Sequence, residues 1–160
     1  MKTLREKVAV ITGAGSGMGR YLAILLAKDG ADVCVCDVNE QTLNETVGML
    51  RKYNVSVSSH LLDVSDKESI EALPQKVIDQ HGKVDLVFNN AGVTTGAHFK
   101  DMDENNWDWV MGINFDGVVN STRAFIPHLI NNTEAAIVNT SSIFGMVTVP
   151  GQTVYHATKF

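Results

Sequence analysis

An α/β fold, with a parallel sheet doubly wound by helices on both faces, is the class this sequence predicts, and three observations predict it. Short runs rich in β-branched residues alternate with amphipathic segments along the chain. A glycine cluster, Gly13, Gly15, Gly17 and Gly19, follows the first run and opens the first amphipathic segment. An acidic residue, Asp37, closes the second run.

Five strands are expected: Val8 to Thr12, Asp32 to Asp37, Ser56 to Leu62, Val84 to Asn89 and Ala135 to Ser141. Between the first two, Tyr21 to Ala27 forms an amphipathic helix that Gly30 stops. Leu43, Val47 and Leu50 repeat at helical spacing before the third strand. Ser65 and Glu68 read as a capping box for a third helix carrying Ile70, Leu73 and Val77, which Pro74 should kink. Trp107, Val110 and Met111 mark one further helix, with Trp107 expected in the core. Val118, Thr122, Phe125, Ile126 and Leu129 mark another, with Pro127 near its end.

The 160 residues suit one domain, 1–160, and 44% hydrophobic with 19% charged content reads as an ordinary globular chain. A net charge of -5 without a Lys/Arg run offers no electrostatic footprint for nucleic acid or an anionic membrane. No apolar stretch approaches the ~20 residues of a membrane span, and no signal peptide opens the chain, so a cytoplasmic protein is expected. Five Asn-x-Ser/Thr sequons, beginning at Asn44, Asn54, Asn120, Asn131 and Asn139, are then chance matches. Cys34 and Cys36 lie on one face of a strand, where a disulfide between them has poor geometry, and buried free thiols are expected. The five histidines, His60, His81, His98, His128 and His156, lack metal-ligand spacing, and no metal is expected.

Thr12-Gly13-Ala14-Gly15-Ser16-Gly17-Met18-Gly19 joins strand to helix, where bare backbone and free N–H groups favour a phosphate. Asp37, 18 positions after Gly19, can accept both hydroxyls of an adenosine ribose. Neither Val38 nor Ser16 adds a cation for a 2'-phosphate, so NAD is favoured over NADP. A P-loop NTPase requires Gly-Lys-Ser/Thr and meets Gly19-Arg20-Tyr21 instead. An S-adenosylmethionine-dependent methyltransferase shares the glycine loop and the acid, but leaves Tyr155 and Lys159 without a role. Those two residues, four apart, share one helical face, and an ammonium beside a phenol favours the phenolate needed for proton transfer near neutrality.

Taken together, the chain resembles the short-chain dehydrogenase/reductase family from about Lys7 onward. Thr12-Gly13-xxx-Gly17-x-Gly19 is similar to its cofactor loop, and Asn89-Asn90-Ala91-Gly92 to its sheet-stabilising N-N-A-G. Asn114, Ser142, Tyr155 and Lys159 fall where that family places its catalytic four, with Ser142 13 residues before Tyr155. The resemblance implies a Rossmann fold of strand order 3-2-1-4-5 with NAD as cofactor. Gly13, Ser16, Gly17, Met18, Gly19, Asp37, Val38, Asn90, Ala91 and Gly92 would line its site, and Asp63-Val64 would meet the adenine. Asp63 as a plain turn residue is the competing reading.

The implied reaction moves a hydride between the nicotinamide and a secondary alcohol or ketone. Tyr155 would pass the proton, Ser142 would bond the substrate oxygen, and Asn114 would hold a water behind Lys159, which also bonds the nicotinamide ribose. Ser142 capping a turn and Asn114 ending a helix are the structural alternatives. A small-molecule alcohol or carbonyl substrate and a homo-oligomer are the partners implied. Family members usually continue with two more strands after the Tyr/Lys helix. A chain ending at Phe160 would leave its fifth strand as an apolar edge and its last helix frayed, so this segment alone is expected to be inactive. A nucleotide-binding or interaction module without catalysis is the alternative function.

Overall fold

The computed structural model describes residues 3–160. Its centre is β1 (Val8–Thr12), five residues that are all buried because helices cover both faces of a parallel sheet. β2 (Asp32–Asp37) and β3 (Val57–Leu61) extend the sheet on one side, and β4 (Leu86–Asn89) and β5 (Ala136–Asn139) on the other. All pairs are parallel, and the order is β3-β2-β1-β4-β5.

Alternate residues of each strand feed two cores. Ala9, Ile11, Val33 and Val35 meet Ala23 and Leu26 of α1 (Gly17–Lys28) and Leu43 and Leu50 of α2 (Glu40–Leu50). Val8, Val10, Cys34 and Val87 meet Ile70, Leu73 and Val77 of α3 (Lys67–His81) and Phe125 of a later helix. Each fully buried side chain of this size contributes about 1.5–3 kcal/mol relative to exposure. Right-handed crossovers put α1 and α2 on one face; the chain then reverses direction across the sheet, which puts α3 on the other. That reversal opens a crevice between the carboxyl ends of β1 and β4.

Several elements differ from expectation in detail. The cap of α3 is Asp66, whose Oδ1 accepts from the Glu68 and Ser69 N–H groups, while Ser65 is held by Asp63 one step earlier. The Ser69 hydroxyl holds the Asp66 carboxyl below its ordinary value. α3 continues through the buried Pro74, which leaves the Ile70 carbonyl without its usual intrahelical partner.

The two helices expected after residue 103 form one rod. α4 (Glu104–Met111) passes through a wide π turn, Gly112–Asp116, into α5 (Gly117–Leu129). Trp107 is half-buried, packed edge-on to Phe99 at 6.3 Å rather than in the sheet core, because α4 is not among the helices that pack on it. Gly117 is where the rod closes on β3's exit: a Cβ there would lie 3.0 Å from the Val64 carbonyl oxygen.

β5 pairs on one side with β4, and Val138 remains 44% exposed. The last helix, α6 (Thr153–Lys159), is formed rather than frayed, since Val154 and His156 are buried. His156 clamps the preceding loop: its Nδ1 is 2.9 Å from the Gln152 carbonyl, and its Nε2 accepts from the Val149 N–H at 3.0 Å. No helix among the described residues is long and apolar enough to cross a membrane.

Candidate active site

The carboxyl ends of β1 and β4 are sewn together by side chains. Thr12 Oγ1 accepts from the Asn90 and Ala91 N–H groups, both at 3.1 Å, and Asn90 Nδ2 donates to the Thr12 and Gly13 carbonyls. The approach is so close that a Cβ on Gly13, at φ +64°, would sit 2.8 Å from Ala91 Cα. A Cβ on the buried Gly19 would run into the Gly13 carbonyl. Asn89 points away from this seam, to Asn139 Oδ1 at 2.9 Å and Thr122, tying β4 to β5 and α5.

α1 opens at Gly17 with no acidic side chain in its first turn and no side-chain cap from Ser16. Its first N–H groups therefore keep their demand for an acceptor. Asp37 stands beside the loop at the end of β2. Its Oδ2 accepts from the Gly15 N–H at 2.8 Å and its Oδ1 from the Asn39 N–H at 2.9 Å.

Gly13, Ser16, Gly17, Met18, Asp37, Val38, Asp63, Val64, Asn90, Ala91 and Gly92 all line one cavity of about 330 Å³. Leu62, Val93 and Ile113 complete it. Asp63 faces it with part of its capacity used, since Oδ1 accepts from both the N–H and the hydroxyl of Ser65 at 2.9 and 2.7 Å. A larger cleft of about 910 Å³, bounded by Leu4, Arg5, Gly30 and Tyr53, opens at the amino ends of the strands and holds none of the expected site residues.

Gly92 joins this cavity to the second group of residues. A Cβ built on it would be 3.4 Å from Asn114 Oδ1 and 3.8 Å from Lys159 Nζ. The Lys159 ammonium lies 5.7 Å from the Tyr155 ring centroid and donates to the Thr140 carbonyl at 2.9 Å. Burial lowers its pKa from the ordinary lysine value. Asn114 ends no helix. It sits buried in the π turn, and its Nδ2 donates to Thr158 Oγ1 at 3.2 Å, whose hydroxyl in turn donates to the Tyr155 carbonyl at 2.8 Å. A cavity of about 200 Å³ behind Lys159 is lined by Asn114, Thr140, Ser141 and Thr158.

Ser142 is differently engaged. Its Oγ accepts from the Phe144 N–H at 3.2 Å and caps a short 3-10 turn, Ile143–Gly145, while Phe144 packs edge-on to the Tyr155 ring at 6.1 Å. Gly15, read from sequence only as part of the glycine loop, and Arg20 and Thr158, given no site role from sequence, also act on the site. For Gly15 the available signal was its place opposite Asp37. For the other two, partners 22 to 44 positions away leave no local signal.

Cys34 and Cys36 are buried free thiols with their sulfurs 4.0 Å apart. Among the described residues, no three His, Cys, Asp or Glu side chains come together in a way that would hold a metal ion.

This geometry agrees with what comparison with known proteins finds. The sequence profile of the short chain dehydrogenase family matches residues 7–160. The chain belongs to that family. SadH of Mycobacterium tuberculosis, named as an oxidoreductase, is 40% identical over 160 residues, all of this chain and 58% of its own length. The 3-oxoacyl-[acyl-carrier-protein] reductase FabG of Thermotoga maritima is 37% identical over 156 residues, 98% of this chain and 63% of its own. A crystal structure of a Burkholderia phymatum short chain dehydrogenase/reductase in complex with NAD superposes with a TM-score of 0.95 at 41% identity, covering 99% of this chain and 57% of that one. The chain thus spans about three fifths of the length of the relatives it matches.

Proposed function

We propose that this chain is the NAD-binding part, carrying the proton-transfer residues, of an oxidoreductase that interconverts a secondary alcohol and a ketone. The position of Gly92 carries the reading: it lines the cavity that Asp37 borders and also lies beside Asn114 and Lys159, so one extended dinucleotide can reach from the acid to the ammonium. The residues suit that cofactor. A loop stripped of side chains leads into an uncapped helix start for the pyrophosphate, and the Asp37 carboxylate suits an unphosphorylated adenosine diol.

When bound, the nicotinamide ring supplies the hydride acceptor. The chain's own residues handle position and proton. Asp37 takes the adenosine diol, and Lys159 takes the nicotinamide ribose hydroxyls from its place beside Gly92. The Tyr155 oxygen, in its phenolate form, would take the proton from the substrate hydroxyl as the carbinol hydrogen leaves as hydride to the nicotinamide, and as the phenol would give that proton back in the reverse direction. Asn114 fixes the floor under Lys159 and, through Thr158, the Tyr155 backbone.

A non-catalytic nucleotide-binding module is the second reading: Ser142 Oγ accepts from the Phe144 amide and caps a turn, a structural task that holds without catalysis, although its O–H proton stays free to donate. The proposal places the protein in the cytoplasm, in keeping with its two buried free thiols, and has it self-associate through exposed Ile126 and Ile130 at the end of α5.

Calorimetric titration with NAD, repeated on D37A, tests the binding, and absorbance at the reduced-nicotinamide band with a panel of secondary alcohols tests the chemistry. NAD binding that D37A weakens at least about tenfold is expected. Absence of binding overturns both readings. Binding without turnover in a chain extended to the length of its relatives supports the module.

A further inference from the structure

Among the described residues, Arg20 is the one cation in the glycine-loop network, and the proposed reaction gives it no task. Its side chain is 19% exposed, and it reaches away from solvent toward α2. Nε donates to Thr46 Oγ1 at 3.0 Å, and one terminal nitrogen donates to the Gly15 carbonyl, the Thr42 carbonyl at 3.1 Å and Glu45 Oε2 at 3.0 Å. Thr46, itself buried, passes the connection on by donating to the Ala14 carbonyl at 2.9 Å.

The consequence lies at Gly15. The N–H of this residue is held by Asp37 Oδ2 and its carbonyl by Arg20, so the loop is fastened from two directions at one residue. There is no slack, since a Cβ on Gly15 would already stand 2.6 Å from Thr42 Oγ1 and 2.7 Å from Asp37 Cγ. A planar guanidinium with several fixed donors can bridge two carbonyls and a hydroxyl at once, whereas an ammonium acts as a single point.

We propose that Arg20 is a positioning residue for the adenosine half of the cofactor, holding the Gly15 peptide so that the Asp37 carboxylate meets the ribose diol at the right angle. This rests on the NAD-binding reading above. Holding a carboxylate in one orientation before the ligand arrives removes an ordering cost from binding, so the effect belongs to affinity at the adenosine end.

Three variants of the full chain, R20M, R20K and E45Q, titrated calorimetrically with NAD and with AMP, test it. R20M is expected to raise the Kd for NAD and AMP alike by about tenfold, and E45Q, which removes only the outer partner, to stay within about twofold. In a D37A background, R20M should change Kd by less than about twofold, because the group it positions is gone. A purely structural role would weaken both backgrounds equally, and that result overturns the proposal, as does R20M binding NAD like the parent. If R20M melts below the assay temperature, R20K decides: a rise of about threefold or more supports the guanidinium bridge, and parent-like affinity refutes it. A parent chain that binds neither ligand refutes the NAD reading itself and this inference with it, whereas parent binding that R20M retains refutes this inference alone.

Discussion

Asn114 grips the backbone of Val93 with both ends of its carboxamide: Oδ1 accepts from the Val93 N–H at 2.8 Å, and Nδ2 donates to the Val93 carbonyl at 2.9 Å. The side chain thereby replaces a strand partner for the segment leaving β4, and the π turn is what turns it inward. Removing it leaves both Val93 groups unpaired in a crowded site, at about 1–3 kcal/mol for each group that water does not reach. N114A is expected to lose roughly 2 kcal/mol in urea denaturation, with the slope of the transition unchanged. A loss under ~0.5 kcal/mol would show that water replaces the carboxamide without penalty.

Gly15 offers a sharper test of the loop. An added methyl meets the Asp37 carboxylate and the Thr42 hydroxyl below contact distance, so the loop or the carboxylate must move. G15A should destabilise the chain by about 1–3 kcal/mol, as overpacking does. It should also remove NAD binding from a calorimetric titration. Substitution at Gly48, where a Cβ meets nothing within 4 Å, is the matched control. Parent-like NAD affinity in G15A would mean that Asp37 does not hold its ligand from this position.

Lys159 should show function opposed to stability. Burial lowers its pKa in the folded chain from 10.5, so its stability contribution is complete above the unfolded value and is lost as the pH falls through the folded one. The ammonium form carries a desolvation penalty that its bond to the Thr140 carbonyl offsets in part. K159M is therefore expected to melt no lower than the parent at pH 7 while binding NAD more weakly. Raising the pH toward 10.5 should let the parent gain on K159M. The idea is sunk if the parent loses ground over that interval.

Much of this was legible from residue order, and the reasons are local. The glycine spacing and the acid closing β2 are properties of one strand-turn-helix unit. The strand order follows from five β-branched runs and right-handed crossovers. Misreadings arose where two local signals compete or where a partner comes from far away. Ser65 and Asp66 both suit a helix cap, and only Asp63's hold on Ser65 decides between them. The π turn adds a residue to the helical period, so one rod looked like two helices, with Asn114 at their junction. Arg20 is an ordinary exposed-helix residue until α2 is laid beside it, whereas the turn that Ser142 caps was among the sequence alternatives, and only its Phe144 partner was not legible.

The paired thiols on β2 make a pH-dependent contribution that can be isolated. The Cys36 thiol, its sulfur 4.0 Å away, is the chief cause and outweighs burial, lowering Cys34 from 9.0 to about 5. The same contact, followed by burial, pushes Cys36 upward. A depressed value contributes stability that is complete above the unfolded pKa and is lost as the pH falls through the folded one. Cys34 should therefore make the chain steadily more stable from about 5 to about 9. The slope is at most about 1.4 kcal/mol per pH unit, and Cys36 opposes it only above that window, where its own proton is lost. Urea midpoints at three values between the two limits should rise with pH in the parent and rise less steeply in C34A, with C36A intermediate because it removes the principal donor. The other charged groups are common to both chains, so the difference in slope reports Cys34 together with its coupling to its neighbours. Parallel profiles for parent and C34A would mean that Cys34 stays protonated throughout, and would leave the sulfur pair as core packing alone.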